Sequence, residues 1–131
     1  MKRTALIARS LLSLLGLALI VLGVLFWTGR ALSLVSVHML IGVLFVVCLW
    51  VLIGVAFYAR AGRGLALFVL IWSLIVPALG VAQLRLLPGS LHWLIQSIHL
   101  VVGLIAMGLG HALARPIMRR ATITRVAPEH T

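Results

Sequence analysis

Residues 37–57 read VHMLIGVLFVVCLWVLIGVAF, 21 residues without a charge, inside an uncharged stretch that runs from 31 to 59. About 20 apolar residues in a helix cross a hydrocarbon core of about 30 Å, so this stretch is long enough to span a bilayer. Lipid offers backbone N–H and C=O groups no partners, which leaves a helix or a closed barrel. Barrel strands alternate apolar and polar residues. Neither this run nor LLSLLGLALIVLGVLFW at 11–27 does so. Both read as helices.

Working outward, arginines divide the chain into uncharged stretches at 10–29, 31–59, 64–84 and 86–114, of 20, 29, 21 and 29 residues. Four spans are predicted, at about 8–28, 31–59, 64–86 and 91–116, within a membrane domain 1–120 that precedes a loose tail at 121–131. The turns Trp27-Thr28-Gly29, Ala59 to Gly64 and Leu87-Pro88-Gly89-Ser90 are short, with Ser90 placed to cap span four. Short turns force antiparallel neighbours, so the expected fold is all-α, an up-down-up-down four-helix bundle. Composition agrees: 64% of the 131 residues are hydrophobic and 9% charged. A soluble domain carries about 25% charged residues, and a disordered chain is poor in apolar ones. One cysteine closes no internal disulfide, and no Cys/His cluster offers a zinc site.

The basic residues orient the bundle. Lys2, Arg3, Arg9, Arg60, Arg63, Arg115, Arg119, Arg120 and Arg125 fall on one side, and only Arg30 and Arg85 on the other. The positive-inside rule places both termini in the cytoplasm, as for a multi-pass protein of a bacterial inner membrane. The net charge of +10 reads as this asymmetry and not as a nucleic-acid surface. The N-terminal run is long and lacks an A-x-A site, so it reads as an uncleaved span.

The lengths 20, 29, 21, 29 look like one helical hairpin used twice. Within the long spans, Ser36-Val37-His38-Met39-Leu40-Ile41-Gly42 matches Ser97-Ile98-His99-Leu100-Val101-Val102-Gly103 as Ser-x-His-x-x-x-Gly. Two hairpins of one orientation are related by a pseudo-twofold along the membrane normal, which sets His38 opposite His99. His38 is nine residues beyond Gly29 and His99 nine beyond Ser90, a depth of about 13 Å for each. A rival register pairs His38 with His92, because His-x-Leu-Ile recurs at both; the glycine and depth matches favour His99. Facing imidazoles bind metals, and a glycine one turn on lets a flat group lie against the backbone.

His-x-x-x-Gly motifs on facing membrane helices resemble the four-helix b-type cytochromes, the cytochrome b561-like class. The resemblance rests on the four-span layout and these two motifs. It implies one haem b per chain, with His38 and His99 as axial ligands and Gly42 and Gly103 against its faces. A second histidine pair, present in two-haem members, is incomplete: His111 sits twelve residues past His99 but the repeat sets Trp50 opposite it.

Other residues fit around this reading. Arg30 and Arg85 are candidates for the haem propionates or simple helix-end anchors. His92 is polar filling, or meets a propionate or quinone head group, and Gln96 reaches either His92 or His99. Met39 and Met107 are axial ligands only in principle. Trp27, Trp93 and Tyr58 suit aromatic belts, Trp50 and Trp72 packing, and Cys48 an inert core thiol. Pro77 is expected to kink span three. The sole carboxylate side chain, Glu129, lies in the tail, which argues against carboxylate-driven proton transport, and no hydrolytic constellation is present.

Two functions follow as expectations. The first is a single-haem electron carrier working with a membrane quinone or a redox partner at the outer face. The alternative is a haem-free accessory subunit of a larger membrane complex. A haem-using enzyme, such as a quinone reductase or superoxide oxidase, is a weaker third.

Overall fold

The structure, a computed structural model, describes residues 1–83 and 85–126, with side chains through Arg119. Four helices follow in order: α1 (Lys2–Trp27), α2 (Val35–Tyr58), α3 (Arg63–Ala82) and α4 (His92–Val126), with a 3₁₀ turn at Leu32–Leu34 before α2. No strand occurs among the described residues. All four helices are long and apolar enough to cross a membrane, as in a multi-pass integral membrane protein. The chain is an all-α four-helix bundle.

Turn chemistry sets the helix ends. After α1, Gly29 takes φ +71°, its N–H bonds to the Phe26 carbonyl at 2.9 Å, and the Arg30 N–H bonds to Leu25 at 2.8 Å. This is a Schellman cap, and glycine supplies the left-handed residue without a β-carbon clash. Thr28 Oγ1 donates to the Leu25 carbonyl as well. The same pattern closes α2, where Arg60 N–H bonds to Phe57 at 3.1 Å and Ala61 N–H to Ala56 at 3.0 Å. There the left-handed residue is Arg60, at φ 51°.

Several boundaries differ from the sequence reading. α1 begins at Lys2 rather than about 8. α2 begins at Val35 rather than 31, because Ala31 is left-handed and Leu32–Leu34 wind as 3₁₀. α3 ends at Ala82. α4 begins at His92, so Leu91 rather than Ser90 precedes it, and it runs to Val126, past Pro116 and into the segment read as a tail. Residues 127–131 of that segment lie outside the described residues. Pro77 sits inside an uninterrupted α3.

α1 packs against α2 and α4, and α3 against α2 and α4. Across the diagonal α2 meets α4, whereas α1 and α3 do not touch among the described residues. The α2–α4 line is therefore the centre of the bundle. Its buried core is one-sided. Ala5, Ala8 and Leu12 of α1, Phe45, Leu49, Leu52, Ile53 and Ala56 of α2, Ala66 and Val69 of α3, and Ala106, Leu113, Ala114 and Ile117 of α4 form one cluster, joined by Ala61 of the turn. All lie toward the end that carries Arg60 and Arg63. In the half that carries Arg30 and Arg85, Ile95 is the only buried apolar side chain among the described residues.

Small residues permit the close approach at the packed end. A β-carbon on Gly110 would overlap Leu12 Cδ2 and stand 2.9 Å from Leu49 Cδ2, so α1, α2 and α4 converge there. Interhelical hydrogen bonds add to this packing, as expected where water does not compete. Trp50 Nε1 donates to Ser73 Oγ at 3.0 Å, Ser73 Oγ donates to the Leu70 carbonyl at 2.7 Å, and Trp72 Nε1 donates to the Val102 carbonyl at 3.0 Å.

Candidate functional site

His38 stands on the first turn of α2 and His99 on the second turn of α4, in the half of the bundle with the fewest buried apolar side chains. Each is half-buried. The His38 ring meets Phe26 of α1 edge-on, with centroids 5.4 Å apart at 62°. The His99 ring lies against Gly80 of α3, its Cε1 3.2 Å from the position a β-carbon would occupy. The two imidazoles are near enough for their charges to interact.

Their nitrogens are unusual for a membrane interior. Nδ1 of His38 and Nδ1 of His99 are both buried with no hydrogen-bond partner among the described residues. A buried polar atom left unpaired costs about 1–3 kcal/mol, and histidines inside spans are normally paired. Gln96 makes no hydrogen bond to His99 or to His92 among the described residues. These two rings thus carry donor capacity that the bundle does not itself use.

The surrounding glycines leave room. Nothing lies within 4 Å of a β-carbon built on Gly103, and Gly42 would meet only Leu19 Cδ2, at 4.0 Å. No group of three or more His, Cys, Asp or Glu side chains converges among the described residues. Two imidazoles alone do not complete a zinc-type site, which takes three or four protein ligands. They do suffice for a macrocycle that brings its own equatorial nitrogens. Two imidazoles with buried, unpaired nitrogens are the donor set that such a macrocycle would take from the chain.

The remaining candidates fall around this pair. His92 opens α4, half-buried, two turns nearer the helix start than His99. Arg30 and Arg85 are exposed at the same end. Arg85 lines an open groove with Ala78, Val81, Ala82 and Leu86. Met39 is 55% exposed and points away from the bundle. Met107 packs on the core, its Sδ 2.7 Å from where a β-carbon on Gly16 would stand. Cys48 is partly buried at the core edge, as expected.

The repeat counterparts Trp50 and His111 have separate partners. Trp50 donates to Ser73. His111 instead binds α1: Arg9 Nε donates to its Nδ1 at 3.0 Å, and Ser13 Oγ lies 3.2 Å from its Nε2. The repeat aligns α1 with α3 and α2 with α4 and carries no information about contacts between α1 and α4, which is why it misses this one. The usable signal was Arg9-x-x-x-Ser13, a polar pair one turn apart on one face of span one. Compared with known proteins, the chain matches no family model, no curated protein and no solved structure.

Proposed function

We propose that the chain is a single-haem b-type transmembrane cytochrome in which His38 and His99 hold the iron. The observation that carries this reading is a pair of histidines on the two helices of the bundle's diagonal, α2 and α4, each with a buried Nδ1 that has no hydrogen-bond partner among the described residues. A haem so held supplies one-electron redox chemistry.

The chain's own residues orient and enclose it. Gly42 and Gly103 leave their helix faces clear, while Phe26 and Gly80 fix the two rings from α1 and α3. Arg30 and Arg85, exposed at that end, carry the charge that carboxylates need, and His92 is a further polar group on the same side. The excess of basic residues at the opposite end supports a cytoplasmic position for that end and both termini, as in a bacterial inner-membrane protein. A haem held there would exchange electrons near the outer face, with a quinone or a redox partner as the counterpart.

The test is a dithionite-reduced minus oxidised spectrum of the detergent-purified chain, with haem counted per polypeptide. Sharp α and Soret bands at one haem per chain, lost in His38→Ala and His99→Ala but kept in His92→Ala, support the assignment. A colourless protein from haem-replete cells, or bands that survive both substitutions, overturns it. The haem-free accessory subunit then becomes the better reading.

A further inference from the structure

At the far end of the bundle, Arg9, Ser13 and His111 form a closed ring of hydrogen bonds between α1 and α4. Arginine only donates, so His111 Nδ1 accepts from Arg9 Nε, at 3.0 Å. Ser13 Oγ donates to the Arg9 carbonyl, at 3.1 Å, so its lone pair faces His111 Nε2, at 3.2 Å. His111 is therefore the neutral Nε2–H tautomer, donating to Ser13. Every member of the ring has one consistent direction.

The ring uses only one of the five N–H donors of Arg9. The four on its two Nη atoms make no hydrogen bond among the described residues. Arg115, one turn beyond His111 on α4, adds a second guanidinium close enough to act on that imidazole. Lys2 lies two turns before Arg9 on the same face of α1. No carboxylate side chain exists in the described residues to balance them, since the sole acid is Glu129. Among the described residues these cations have no counter-anion.

Depth indicates which anion. From His92 to His111 is nineteen residues of α4, about 29 Å, one hydrocarbon thickness. α1 spans 26 residues, about 39 Å, which leaves its first turns beyond the hydrocarbon. Arg9 and His111 thus sit where lipid phosphates lie. Basic sites between helices on the cytoplasmic side bind anionic head groups, and a guanidinium binds phosphate oxygens in bidentate fashion.

We propose that Arg9, fixed by His111 and Ser13 and flanked by Arg115, receives the phosphate of an anionic phospholipid between α1 and α4. The ring fixes the guanidinium through Nε and leaves both Nη groups for the ligand. The site lies about 18 Å along α4 from His99 and stands with or without a haem.

Native mass spectrometry of the full chain in detergent tests this, with phosphatidylglycerol, phosphatidylcholine of the same acyl chains, and inorganic phosphate as separate probes. Phosphatidylglycerol is expected to bind in preference to phosphatidylcholine and to survive millimolar inorganic phosphate. Arg9→Gln is expected to weaken it about tenfold, the scale of a lost charged hydrogen bond. Arg63→Gln removes the same charge from the same end outside the ring and is expected to change it less than twofold. Arg9→Lys, which keeps the charge without the fork, is expected to lose about threefold and serves where Arg9→Gln does not fold. Equal losses in Arg9→Gln and Arg63→Gln, equal binding of the two lipids, or displacement by inorganic phosphate would each overturn the proposal.

Discussion

The His99 imidazole rests on the backbone of Gly80, with Cε1 3.2 Å from the site of a would-be β-carbon. Helix α3 therefore acts as a wall that sets where this ring stands on α4. The contact also explains why a glycine is useful three residues after Pro77, where the sequence repeat itself gives no reason for one.

Enlarging Gly80 should move the ring. Gly80→Ala asks the imidazole to give by a few tenths of an ångström and is expected to lower haem content slightly. Gly80→Val is expected to cost about 1–3 kcal/mol as overpacking and to cut haem per chain by more than half. Thermal unfolding in detergent and pyridine haemochrome counting measure the two effects separately.

The unpartnered nitrogens make a prediction of opposite sign for the haem-free chain. Replacing His38 or His99 with leucine removes a buried atom that has no partner, at similar volume. Stability of the haem-free protein is expected to rise by about 1 kcal/mol, while haem binding is lost. A fall in the unfolding temperature of both apo variants would mean that these rings serve packing.

Gly110 and Gly108 offer a matched comparison on one helix. Gly110→Ala meets Leu12 and Leu49 at once and is expected to destabilise by about 1–3 kcal/mol. Gly108 has nothing within 4 Å of a β-carbon, so Gly108→Ala is expected to be neutral or to stabilise by up to about 1 kcal/mol. Urea or thermal unfolding of the two single variants decides it.

The closed ring at the other end should show as coupling. Ser13→Ala and His111→Ala each break two bonds of the ring and have the Ser13–His111 bond in common, at about 1 kcal/mol per bond. The double variant is expected to cost less than their sum by about 0.5 kcal/mol or more, because both remove the same bond. Strict additivity in the double-mutant cycle would show that the two side chains do not act as a unit.

The four helices were legible in the sequence because 18 or more apolar residues in a row have few other uses. Their ends were less so. Nothing in Arg30-Ala31-Leu32 announces a left-handed alanine followed by a 3₁₀ turn, since leucine suits either helix type and the choice is made by how the hairpin closes. The repeat drew attention to His38 and His99 through identical spacing. It could not supply Phe26 or Gly80, whose roles depend on helix rotation, nor the Arg9–His111 bond, which joins residues 102 positions apart. Trp50 illustrates the same limit: internal symmetry placed it opposite His111, while the serine it binds lies on the helix that follows it.

The one-ended core has a consequence for how such a chain can change. Its helices are tied together by residues such as Leu12, Leu49, Leu52, Leu113 and Ile117, none of which touches the histidine end. Substitutions around His38 and His99 therefore draw on a different set of residues from those that keep the helices assembled. A new ligand preference can be tried at one end of the molecule without risking the whole, much as a tool with a fixed handle accepts a different head.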